Sequence, residues 1–153
     1  MKKIILLTLL FISFTTSAFA EFKLDESRWK WVFSTDKFGC YYDTNTAKIK
    51  SVSVFEVWYC NYYPGHTSCG FLPCINVKQD TTEHYHYSRT EFDAERYTAF
   101  CKNIIFRDNN GRVFSSYESS EAPQYNKPVP IIPDTVVETV MLKIKQDLYK
   151  YRR

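Results

Sequence analysis

The segment HYSRTEFDAERYTAFCKNIIFRDNNGRVFSSYES, residues 86–119, reads as consecutive antiparallel strands. Tyr, Phe, Ile, Val and Thr dominate its two halves, and these side chains suit a pleated, half-buried surface. Between the halves, Asp108-Asn109-Asn110-Gly111 is a hairpin turn. Gly111 supplies the positive φ that such a turn needs, and asparagine tolerates the same region. The reading predicts strands over 83–92, 95–107 and 112–119.

Upstream, residues 29–33 (WKWVF) predict a first strand with Trp29, Trp31 and Phe33 toward the core, and 40–43 (CYYD) a short second one ending in the turn DTNT. Residues 51–60 give the strongest strand signal. Val52, Val54, Glu56, Trp58 and Cys60 fall on one face, and Ser53, Phe55, Val57 and Tyr59 on the other, so a central position is expected. Residues 61–82 form a long irregular segment with Pro64, Gly65, His66, Cys69, Gly70, Phe71, Pro73 and Cys74. Loops of this length are usually functional or disordered. Four prolines make 121–133 an extended crossing segment.

Residues 135–149 predict the single helix. Thr135 and Glu138 form a capping box, in which each side chain satisfies a free backbone donor. Val137, Val140, Met141, Ile144, Leu148 and Tyr151 lie on one stripe at three- and four-residue steps. The expected fold class is therefore α+β: a single antiparallel sheet of about six strands with a C-terminal helix packed on one face.

The N-terminus belongs to targeting. Lys2 and Lys3 precede an apolar run, and Ala18-Phe19-Ala20 is a small-x-small cleavage pattern, so residues 1–20 are expected to be a signal peptide and 21–153 a single domain. Export to the periplasm or outer cell surface follows, with no stable membrane insertion after cleavage. Of 20 Lys+Arg and 17 Asp+Glu, the leader holds two lysines and no acid, which leaves the exported part near neutral. The basic precursor is thus no argument for nucleic acid as a partner.

All five cysteines, Cys40, Cys60, Cys69, Cys74 and Cys101, lie in the exported part. An oxidising compartment makes two disulfides and one spare thiol the expectation. Only Cys69–Cys74 has local support, from Gly70 and Pro73; Cys60, Cys101 and Cys40 are the other candidates.

The order of elements carries a resemblance. W-x-W-x-F, C-Y-Y-D-T, S-V-x-V-x-E-V-W, S-R-T-E-F-D, D-N-N-G-R-V and I-I-P-D-T-V-V-E, following a signal peptide, resemble the bacterial surface-adhesin protein E-like family. The resemblance spans nearly the whole exported chain through short structural motifs. It implies a sheet with a C-terminal helix, binding of host extracellular-matrix and plasma proteins, and a possible homodimer. The family commonly staples helix to sheet through two cysteines. Here Ala94 stands at the first position and no cysteine follows Cys101, so packing alone is expected to hold the helix.

No catalytic motif stands out. His84 and His86, two apart on a strand, share a side and with Glu83 or His66 could ligate a metal, but no second paired motif supports this. They read instead as surface histidines on an outer sheet face, and neither metal nor cofactor is assigned. Cys60 with His66 lacks an orienting third group for nucleophilic catalysis. Glu91, Asp93 and Glu95 read as solvated turn carboxylates. Twelve Tyr, twelve Phe and three Trp exceed what one helix-covered face can bury. The surplus points to a recognition surface, with Tyr62, Tyr63, His66, Phe71, Tyr85 and Tyr87 as partner-binding candidates. The expected function is an exported, non-catalytic, adhesin-like protein recognising a protein (extracellular-matrix or envelope) or glycan partner. The alternatives are a periplasmic envelope-structural protein without a host ligand, or a small metal-binding or enzymatic periplasmic protein.

Overall fold

The turn at Asp108 forms as its residues require. Gly111 takes φ 78°, its N–H donates to the Asp108 carbonyl at 2.9 Å, and Asp108 Oδ1 accepts from the amides of Asn110 and Arg112. The computed structural model describes residues 23–36, 38–64, 84–121 and 126–150. Residues 1–20, expected to be a signal peptide, residues 65–83 with Cys69, Cys74, His66 and Phe71, and Tyr151 lie outside them.

Eight strands pair antiparallel: β1 Trp29–Ser34, β2 Gly39–Asp43, β3 Lys48–Ile49, β4 Val54–Tyr63, β5 His84–Asp93, β6 Thr98–Asp108, β7 Val113–Glu118 and β8 Val129–Pro130. The spatial order is β1-β2-β4-β5-β6-β7, with β3 on β4 and β8 on β6. β4 is interior, as its two-sided apolar pattern predicts. Its start is three residues later than expected, because Lys50 and Ser51 turn back onto the Val54 carbonyl. The protein is thus an α+β fold, one antiparallel sheet with a C-terminal helix, α1, over Val136–Tyr149.

Helix α1 starts at Thr135, whose hydroxyl accepts from the Glu138 amide. Glu138 reaches one residue further back than the ordinary box, accepting from the Asp134 amide at 2.7 Å, because Asp134 sits at φ 60° and turns its N–H toward the helix. Val140, Met141 and Ile144 are buried against Phe55, Val57, Tyr59, Phe92 and Ala99. Burial of each such side chain is worth roughly 1.5–3 kcal/mol. Packing is not the whole attachment. Asp147 pairs with Lys30 at 2.9 Å, and the Tyr149 hydroxyl donates to the Ser51 carbonyl.

Strand register fixes what faces the helix. Opposed residues share a face, so Cys40, Tyr42, Tyr59, Tyr63, His84, His86, Thr90 and Cys101 lie on the helix side. Tyr41, Glu56, Trp58, Cys60, Tyr62, Tyr85, Tyr87 and Glu91 lie on the second side. β1 departs from simple alternation. A bulge between Trp31 and Phe33 puts Val32 and Phe33 on the helix side, while Trp29 and Trp31 oppose Asp43 and Tyr41 on the second. The expectation that Trp29, Trp31 and Phe33 share the core face is therefore corrected: Trp31 is 55% exposed.

The second expected disulfide, involving Cys60, Cys101 or Cys40, does not form; all three are free thiols. Cys40 and Cys60 sit on adjacent strands with side chains on opposite faces. Cys101 shares the helix face with Cys40 but lies three strands away, on the order of 14 Å at about 4.8 Å per strand, and a disulfide needs Cα atoms within about 7 Å.

Candidate functional site: the aromatic second face

The second face holds a small core of its own. Cys60, Tyr85 and Tyr87 are buried there, with Leu24, Trp29, Trp58, Tyr62 and Ile105 packed on them. Period two places Trp58, Cys60 and Tyr62 together on β4, and the β4–β5 register opposes Tyr62 to Tyr85 and Cys60 to Tyr87. Tyr62 and Tyr85 meet as a tilted pair with centroids 4.9 Å apart, and Trp29 meets Tyr87 edge-on at 5.4 Å. Aromatic pairs of this geometry contribute about 0.5–1.5 kcal/mol beyond their burial.

Two clefts flank Trp29. One, of about 220 Å³, lies between Leu24, Tyr41, Tyr62 and Tyr85. The other, of about 290 Å³, is walled by Trp29, Trp58, Tyr87 and Ile105 and rimmed by Arg28 and Arg107. The two guanidinium groups differ. Arg28 Nη2 donates at 2.6 Å to Asp43, which is fully buried. Burial pushes the Asp43 carboxyl up, but hydrogen bonds from Arg28 and the Asn45 amide outweigh it and hold the group below its ordinary range. Arg107 lies over the Tyr87 ring at 5.5 Å and donates to the Gly111 carbonyl, but has no ion-pair partner among the described residues.

Beside the rings lies an ion network. Glu56 is 4% exposed and accepts from Arg89 at 2.7 Å, Lys102 at 2.5 Å and Lys50 at 3.0 Å; Glu91 accepts from Lys50 at 2.6 Å and Lys102 at 2.8 Å. The β5–β6 bulge makes this possible, since it leaves Lys102 unpaired between Cys101 and Asn103. Burial pushes the Glu56 carboxyl up, but the bonds from Lys102, Lys50 and Arg89 bring it down to about 2. Lys102 and Lys50 likewise hold Glu91 below its ordinary range. Three cations against two carboxylates leave one positive charge in excess.

Of the partner-binding candidates, Tyr62, Tyr85 and Tyr87 come together on this face. Tyr85 and Tyr87 form its floor, because Leu24 and Trp29 cover them. Tyr63 is corrected. It is buried on the opposite side, stacked on His84 at 4.9 Å and against His86 at 4.8 Å. The two histidines are accordingly interior, not outer-face residues, and His86 also meets Phe106 edge-on at 4.4 Å. Among the described residues no three His, Cys, Asp or Glu side chains converge as a metal site.

Burial raises the Cys60 thiol well above its ordinary range, so it is no thiolate nucleophile. Asp93 caps the β5–β6 turn, accepting from the Glu95 and Arg96 amides, and is thus a structural carboxylate. Trp29, Trp58, Arg28 and Arg107 were not named from sequence as partner-binding residues. The even-numbered face of β4 would have found Trp58, but the others depend on the β1 bulge and long-range register. No helix among the described residues is long and apolar enough to cross a membrane. No family model, curated protein or solved structure is similar enough to this chain to register a match.

Proposed function

We propose that the protein is an exported, non-catalytic, adhesin-like binding protein that recognises a protein or glycan partner through its second sheet face. The observation that carries this reading is the cleft walled by Trp29, Trp58 and Tyr87, with Arg107 at its rim carrying no ion-pair partner among the described residues. Recognition surfaces concentrate rigid aromatic rings and arginine, which give large contact area at small entropic cost. The resemblance to protein E-like adhesins supports an extracellular-matrix protein as the partner. The two thiols most deeply buried here, Cys40 and Cys60, are protonated and inert, which fits binding better than chemistry.

The test is binding of the purified exported chain to immobilised extracellular-matrix proteins. Trp29→Ala and Arg107→Ala should each weaken capture by roughly tenfold or more, the loss typical of a central anchor. A deletion of residues 65–83 tests the loop that joins the two strands bearing Tyr62 and Tyr85. Unchanged capture by both point variants, with wild-type melting, removes the cleft from the reading.

A further inference from the structure

A cavity larger than either of those clefts is on the other side of the sheet. A groove of about 530 Å³ opens where the 129–137 segment and the first turn of α1 stand off from the sheet. Its walls are Phe92, Ala99, Ile131, Ile132, Val136 and Val137, and its polar floor is Tyr59, Thr90 and Cys101. This volume lies inside the roughly 300–1,000 Å³ range of small-molecule sites.

The floor is not satisfied from within. Thr90 is 2% exposed, and its Oγ1 has no hydrogen-bond partner. It lies near the Tyr59 hydroxyl and the Cys101 thiol and tempers the rise that burial causes in both, but at neither does it reach hydrogen-bonding geometry. The Cys101 thiol already donates to the Asn103 carbonyl at 3.5 Å. A buried hydroxyl left alone is unfavourable, a reason to expect a partner from outside. The charge of the walls narrows the choice. Among the described residues no Lys or Arg lines the groove, and Asp134 stands in it, so an anionic head group is disfavoured on both counts.

We infer that this groove is a binding site for an uncharged, lipid-like molecule that places one carbonyl or hydroxyl oxygen against Thr90 and its apolar body along Phe92, Ala99 and Ile131. The site shares no lining residue with the clefts of the aromatic face.

Prodan, a neutral naphthyl ketone whose emission shifts to the blue in apolar surroundings, is a suitable probe. Added to the purified exported chain, it should shift to the blue and be displaced by decanol but not by decanoate at pH 8. Thr90→Val should weaken it by roughly three- to tenfold, the value of one hydrogen bond, while Thr90→Ser retains it. Ala99→Leu, which fills the groove, should abolish the shift. Absence of a blue shift, displacement by decanoate as effective as by decanol, or Prodan binding unchanged in a normally melting Ala99→Leu chain each overturns the site. Should Ala99→Leu fail to fold, equal affinity in Thr90→Val and Thr90→Ser does so instead.

Discussion

Replacing Glu56 by glutamine keeps the shape of the side chain and removes the charge that three cations surround. Its carboxyl lies at about 2 in the folded protein against 4.5 in an unperturbed chain. A difference of 2.5 at about 1.36 kcal/mol per unit sets a ceiling of about 3.4 kcal/mol. Side-chain exposure of Lys50 (42%), Arg89 (39%) and Lys102 (24%) lets solvent screen part of that. The expected loss at pH 7 is therefore about 2–3 kcal/mol. A depressed carboxyl stabilises the fold above its unfolded value and stops doing so as pH falls through its folded one. Glu56 thus contributes fully above about pH 5 and under about 1 kcal/mol near pH 2.5. Urea unfolding of both chains at pH 7 and pH 2.5, followed by tryptophan fluorescence, reads the difference directly. A penalty of equal size at both pH values would mean that Glu56 acts through packing and would refute the electrostatic account.

Three further outcomes are expected. Met141→Asp places a carboxylate at a site with no solvent exposure, so the cooperative thermal transition should disappear; unchanged melting would contradict the helix packing. Gly111→Val forces a branched side chain into φ 78° and should cost about 1–3 kcal/mol by urea unfolding, whereas Gly111→Asn should cost far less. Site-resolved alkylation at pH 8 should leave Cys40 and Cys60 unmodified in the native protein and label Cys101 slowly, since burial raises that thiol to about 11; rapid labelling of Cys60 would contradict its place under Tyr87.

The resemblance to adhesins and the aromatic surplus point the same way and share Trp29 and Trp58. The short motifs that carry the resemblance mostly build strands, turns and the helix start. The cleft draws on residues from β1, β4, β5 and β6. A Trp29 variant probes recognition without touching the caps and turns that hold the sheet together, whereas Arg107 also donates to the Gly111 carbonyl of the hairpin turn, so its variant is read beside its melting.

Sequence by itself determined the features that depend on neighbours in the chain. The Asp108–Gly111 turn, the Thr135 cap, the Val140–Met141–Ile144 stripe and the alternation along β4 are written in local chemistry and in periods of two and 3.6, so the α+β architecture was legible. What only the tertiary structure decided is which residues from distant strands meet. One bulge in β1 sends Trp29 and Trp31 away from the helix, and another in β5–β6 frees Lys102 for Glu56. Register buries Tyr63 with the histidines and keeps Cys40, Cys60 and Cys101 apart. A single-residue shift in pairing reverses a side chain's face, and no local pattern reports where along a strand such a shift falls.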